Sequence, residues 1–338
     1  MKFLILIMSF FIITAMGIEQ STFTPKAKIA LLSSPSVIGR YTQSSYNVAL
    51  ATFLASNREF ELISYTIKDE SASSLSSVFE QMTNDKIDAV LAPLTLSGVK
   101  NLLTLPTDKL LFIPTVHKRD VQNAPENIVF GAIDYQAQIQ ALVPYMTTSV
   151  AVFYDNSAVG NSLSTATQTL AHESKRGVRS LTAYAVDAKG ADIVKYLSKP
   201  SAFSKRSIVT HLPVVKTAML TAHLTFIGVK ATNILSTQMN FNPSLLTLTQ
   251  LSNRKNMIIA NSIIEQVPSI YESNALLNND LTFDWINYTT SVGADYLISR
   301  LYGYERAYSM RIVDSQVIYP VELMSPKESG FEPFKDKQ

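Results

Sequence analysis

The chain has 338 residues and is 46% hydrophobic, which is enough apolar material for two modest cores. It has no cysteine, which excludes disulfides, thiolate metal sites and thiol catalysis, and its 11 glycines and 14 prolines are too few for a low-complexity protein. The formal net charge is only +2, without the strong basicity and motif that nucleic-acid binding calls for, so no nucleic acid partner is expected.

The N-terminus has the layout of a secretory signal. Lys2 precedes an apolar run over 3–13 that only Ser9 interrupts, and Ala15-Met16-Gly17 supplies small residues for cleavage before Ile18. The run is shorter than the roughly 20 residues of a membrane span. Residues 1–17 are therefore expected to be a signal peptide. The expected location is the periplasm, and the chain is not membrane-spanning after cleavage. Residues 18–26 read as a short tail.

From Lys28 onward, strands and helices alternate. A strand is expected over 28–32, ending in Ser33-Ser34-Pro35-Ser36. A helix over 41–54 follows, with Tyr46, Ala49, Leu50 and Phe53 on one stripe. Next come a strand over 60–67 and a helix over 75–82, with Ser71, Ser73 and Ser74 available as caps. The adjacent carboxylates Asp69 and Glu70 fall in the intervening loop and read as solvated. A short strand over 87–92 then runs into Pro93-Leu94-Thr95, with a helical pattern from Ser97. Segment 110–117 repeats that form, an apolar strand followed by Pro114 and Thr115, and ends at His117. A strand over 127–132 leads to Asp134.

The pattern restarts at Tyr135. Helices are expected over 136–146, 158–173, 191–197 and from Pro213 to near Gly228. Strands are expected over 149–154, 180–186, 207–211, 232–235 and 257–264. Helices follow at about 271–279 and 291–303, and a strand pair around Asp314-Ser315 spans 311–323. Alternating elements of this kind predict parallel sheets covered on both faces, and two successive runs predict two domains. Several strands end in small polar residues, and in open α/β sheets that carboxyl edge is where ligands bind.

Charge is unevenly spread. Residues 135–260 hold twelve basic and four acidic side chains, against 17 and 23 in the remainder. One basic block within a near-neutral chain fits an independent domain with an acidic partner, or ordinary solvated charge at helix ends.

Some strings resemble a known family. Ile87-Asp-Ala-Val-Leu-Ala-Pro-Leu-Thr95 is similar to the strand-Pro-Leu segment of penicillin-binding-protein activators, and Val292-Gly-Ala-Asp-Tyr-Leu297 resembles a helix of that group. Val150-Ala-Val-Phe-Tyr-Asp155 and Ser207-Ile-Val-Thr-His211 look like strands of that group and of the branched-chain amino-acid receptors. Over roughly 27–323 the order of elements resembles the type I periplasmic binding-protein fold. That resemblance implies two Rossmann-like lobes with parallel sheets, closing like a flytrap, with crossings near 131–134, 261–268 and 303–311. Lobe 1 would comprise 27–133 plus 265–303, and lobe 2 would comprise 135–262 plus 309–323. Residues 324–338 would be a C-terminal tail.

In the amino-acid receptors, hydroxyls and backbone N–H groups at these strand ends hold the ligand's carboxylate and ammonium. The resemblance thus implies a ligand site at Ser33, Ser34, Ser36, Thr95, Ser97, Thr115, His117, Tyr154 and Asp155. Ser, Thr and Asp are also the ordinary residues of helix caps and turns, which is the alternative for each. The four histidines show no i, i+4 metal spacing, and there is no Gly-x-Ser-x-Gly elbow, Walker loop or Gly-x-Gly-x-x-Gly. The expected function is that of an exported, non-catalytic binding protein without a cofactor. It would capture a small polar solute, an amino acid or peptide-like, between its lobes. The alternative is a cell-envelope protein-interaction module that holds no small ligand.

Overall fold

The computed structural model describes residues 26–174 and 177–336, so the expected signal peptide lies outside the described residues. Two lobes are each built on a seven-stranded sheet. The first run of chain forms β1 (Ala27–Ser33), α1 (Pro35–Ile38), α2 (Tyr41–Ala55), β2 (Phe60–Thr66), α3 (Ala72–Asn84), β3 (Ala89–Leu91), α4 (Leu96–Leu102), β4 (Leu110–Ile113) and β5 (Ile128–Phe130). The second forms α5 (Tyr135–Leu142), β6 (Ser149–Asp155), α6 (Ala158–Glu173), β7 (Ser180–Val186), α7 (Asp192–Tyr196), β8 (Ser207–His211), α8 (Val214–Phe226), β9 (Asn233–Ser236), α9 (Pro243–Leu248), α10 (Leu251–Arg254) and β10 (Met257–Asn261). The chain then returns to lobe 1 with α11 (Pro268–Leu276) and α12 (Trp285–Tyr302), which pack on α2. It ends with β11 (Ile312–Val313), β12 (Gln316–Val317), β13 (Glu322–Pro326) and β14 (Phe331–Pro333).

The parallel strands run β2-β1-β3-β4-β5 in lobe 1 and β7-β6-β8-β9-β10 in lobe 2, the same doubly wound order twice. Strands β1 and β6 are apolar without alternation over 29–32 and 150–153 because both of their faces are covered. Successive side chains still part to opposite faces. Ile29 and Leu31 of β1 join Val48 and Phe53 of α2, whereas Ala30 and Leu32 join Leu75 and Met82 of α3. In β6, Ala151 and Phe153 meet Leu220 and Leu224 of α8, while Val150 and Val152 meet Ile139 and Leu142 of α5. The four apolar layers so formed are the cores of the two lobes.

Three expectations about the C-terminal third are corrected. The hairpin β11–β12 belongs to lobe 1, where β12 pairs parallel with β5, and not to lobe 2. Asp314 and Ser315 both take positive φ, 47° and 60°, which gives the two-residue turn that matches strand twist. Val317 and Tyr319 bury in the lobe 1 core, and the Tyr319 hydroxyl donates to the Gly131 carbonyl at 2.8 Å. The last crossing therefore falls at 318–321 and not at 303–311. Residues 324–338, expected as a tail, instead hold most of β13 and all of β14, two antiparallel strands at the edge of lobe 2. Phe331 packs on Phe241 with ring centroids 4.6 Å apart, and the buried Arg254 guanidinium donates to the carbonyls of Thr249, Lys327 and Glu328.

Candidate functional site

The strand order reverses between β1 and β3 in lobe 1 and between β6 and β8 in lobe 2. Such switch points open a crevice beyond the carboxyl ends of the strands. Here a cavity of about 1010 Å³ lies between the lobes and takes its walls from both. Lobe 1 contributes Arg40 and Tyr41 at the start of α2 and Thr115, His117 and Arg119 after β4. Lobe 2 contributes Val159, Ser162 and Leu163 from α6 and Gln238, Met239 and Phe241 after β9. The first crossing, Ala132 to Gln136, and the segment before α12, Asp280 to Trp285, complete it.

Local structure fixes the polar groups. The His117 Nδ1 accepts from the backbone N–H of Arg119 at 3.1 Å, which sets the ring beside the crossing. The Arg119 guanidinium forms an ion pair with Asp134 and donates to Gln136, and His117 Nε2 lies 3.8 Å from the Asp134 carboxylate. Burial, reinforced by the Arg119 charge, pushes the His117 imidazole below its ordinary value against the pull of Asp134. Asp134 also caps α5, accepting from the Ala137 N–H at 3.0 Å. Asp284 caps α12 through the N–H groups of Ile286 and Asn287, yet burial outweighs those bonds and raises its carboxyl. Arg40 donates to the Tyr41 hydroxyl at 3.1 Å. The floor on the lobe 2 side is a buried amide network. Gln138 Nε2 donates to Gln238 Oε1 at 3.0 Å and to Ser262 Oγ at 2.8 Å, and Gln138 Oε1 accepts from the Gln238 N–H at 2.9 Å. Gln238 Nε2 has no hydrogen-bond partner among the described residues.

Of the nine residues expected from the sequence, Thr115 and His117 line this cavity. Ser34 and Ser36 both donate to the Lys68 carbonyl, and Ser33 is fully buried with its Oγ unpartnered among the described residues. Ser97 is exposed in the first turn of α4, and Tyr154 is half-buried at the end of β6. Asp155 forms an ion pair with Lys216 of α8, which holds its carboxyl below the usual range. Thr115 donates to the Leu94 carbonyl. Thr95 caps α4, accepting from the Gly98 N–H at 3.3 Å.

The Thr95 position carries a correction. Glu70, expected to be solvated, is buried, and its carboxylate accepts from the Thr95 N–H at 3.1 Å and from the Thr95 hydroxyl. Its neighbour Asp69 is exposed as expected. The chain thus supplies its own carboxylate where the resemblance places a ligand's. Sequence reasoning missed Glu70, and also Arg40, Tyr41, Arg119, Asp134, Gln238 and Trp285 of the cavity wall. Glu70 had been read as solvated and Asp134 only as the residue to which a strand leads, neither as part of a site. Among the described residues, no group of three or more His, Asp or Glu side chains could hold a metal ion, and no helix is long and apolar enough to cross a membrane.

No protein-family model and no curated protein matches the sequence. Solved structures do match. The branched-chain amino acid transporter substrate-binding protein LivJ of Streptococcus pneumoniae, in complex with isoleucine, superposes with a TM-score of 0.63 at 13% identity, covering 91% of this chain and 98% of that one. The fold is that of the type I periplasmic binding proteins. The leucine-binding protein LivK of Thermotoga maritima is similar in the same way, with a TM-score of 0.62 at 12% identity over 91% of this chain and 98% of that one. LpoA of Haemophilus influenzae is similar over part of its length, with a TM-score of 0.59 at 12% identity over 93% of this chain and 59% of that one.

Proposed function

We propose that this chain is an exported, non-catalytic binding protein that captures a small polar solute between its two lobes. One observation carries this reading. A cavity lies at the carboxyl edges of both parallel sheets, and both lobes and the first crossing build its walls. Its volume, about 1010 Å³, has room for an amino acid or a short peptide. Its walls mix aromatic and aliphatic side chains with a few convergent polar groups, the usual composition of a solute site.

The proposed contacts are Thr115, His117 and Arg40 on lobe 1 and Gln238 on lobe 2. Gln238 brings a buried amide donor that lacks a partner, and an unpaired buried donor costs about 1–3 kcal/mol until something accepts from it. A solute that bridges Gln238 and the lobe 1 groups binds the closed arrangement better than the open one. That difference in affinity is what a closing motion needs. Glu70 already occupies the Thr95 N–H, so the solute is held by the cavity wall and not by that turn.

Thermal unfolding of the mature chain against a panel of amino acids and di- and tripeptides tests this. A bound solute at about 100 times its dissociation constant adds about 2.7 kcal/mol of stability. A stabilising solute whose effect disappears in Gln238→Ala supports the reading, and a flat response across the panel at millimolar concentration counts against it.

A further inference from the structure

A second feature of lobe 2 lies outside the cleft and shares no lining residue with it. Helix α8 is apolar on both of its faces. Ala218, Leu220 and Leu224 are buried in the lobe 2 core, while Val215, Met219 and Phe226 point outward, and Phe226 is 85% exposed. Helices apolar all round are normally buried on every side. The outward stripe meets α7, where Val194 is 59% exposed, and the two helices enclose a groove of about 330 Å³. The His223 ring stacks on Phe226 at 6.1 Å and forms one end of the wall. Exposed apolar residues scattered singly need no explanation, but a contiguous groove of them marks a contact surface.

The α7 side of the groove carries exposed lysines. Lys189 and Lys195 directly adjoin the groove residues Gly190 and Val194, and Lys199 follows α7, all three exposed. The acids of the same stretch, Asp187 and Asp192, are half-buried, and the Asp187 carboxylate accepts from the Ala191 N–H at 2.9 Å. We propose that the α7–α8 groove docks an acidic segment of a partner protein, which inserts apolar side chains between the helices while its carboxylates meet the lysines. Charge complementarity selects this occupant. A second copy of the same face would bring like charges together, and a concave groove that accepts side chains fits a peptide better than a flat lipid surface. The proposal does not depend on solute binding in the cleft.

The test uses the full mature chain and two synthetic amphipathic helical peptides with the same Leu and Phe anchors, one Glu-rich and one Lys-rich, read by fluorescence anisotropy. The Glu-rich peptide binds, weakens as salt screens the lysines, and loses about tenfold or more in affinity in Phe226→Ser and in Lys195→Glu. Phe226 is solvent-exposed, so Phe226→Ser keeps its thermal midpoint, and circular dichroism confirms that the variant is folded. The proposal is overturned by equal binding of the Lys-rich peptide, by no binding of the Glu-rich one at millimolar concentration, or by unchanged affinity in Phe226→Ser. It is also overturned if sedimentation shows self-association that Phe226→Ser abolishes, or if anionic vesicles capture the chain through this face and the Glu-rich peptide does not.

Discussion

The carboxylate of Glu70 closes the turn at Thr95, accepting from both its backbone N–H and its hydroxyl, while Asn101 Nδ2 donates to the Glu70 carbonyl at 2.8 Å. This ties the loop after β2 to the start of α4. Glu70→Ala leaves two donors without their acceptor and is expected to cost about 1–3 kcal/mol. Glu70→Gln keeps an acceptor and costs less. Urea unfolding of the two variants measures this, and equal stability of Glu70→Ala and wild type would show that the turn does not need the carboxylate.

Phe112 fits between two glycines. A Cβ at Gly293 of α12 or at Gly131 of the first crossing would overlap its ring. Gly293→Ala therefore forces the ring or the helix to move, at about 1–3 kcal/mol. Adding Phe112→Leu frees that space, so the double variant is less destabilised than the sum of the two single changes. Chemical denaturation of the four proteins checks the cycle. Strict additivity would mean that the close approach carries no strain.

His211 is fully buried at the end of β8, with Nε2 2.7 Å from the Thr167 hydroxyl and Nδ1 without a partner among the described residues. Burial pushes its imidazole down to about 3. The unfolded chain then binds a proton that the folded chain refuses. Stability is full above the ordinary histidine range near 6.5 and falls as pH drops toward 3, with a slope of up to about 1.4 kcal/mol per pH unit. In His211→Gln that slope is absent, so the stability curves of variant and wild type converge as pH falls from 7 to 4.5. Parallel curves would show that His211 takes up its proton while folded.

Much of the fold was legible because the parallel strands are short and largely apolar and their helices carry clear caps. Ser71, Asp134 and Ser157 cap α3, α5 and α6 through their side chains. The start of α12 was missed by six residues because it has no apolar stripe. Thr289, Thr290 and Ser291 are buried alongside Tyr288 and Val292, so the helix is enclosed whatever its polarity. The hairpin around Asp314-Ser315 was expected but given to the other lobe, and β14 was not expected, because nothing local shows that Gln316 reaches the Ala132 carbonyl across the sequence. At the site, the strand-end hydroxyls were visible, but their bonds were not. Glu70 sits 25 residues from Thr95, and only the closed chain shows that the two meet.

The cleft is tested most directly by isothermal titration of the protein with the same panel of amino acids and short peptides, followed by Gln238→Ala and His117→Ala. The account predicts one solute that binds with one-to-one stoichiometry, and about tenfold or greater weakening in each variant at a temperature where circular dichroism shows that the variant is folded. A panel with no binder at millimolar concentration, or a binder indifferent to both substitutions, would contradict it.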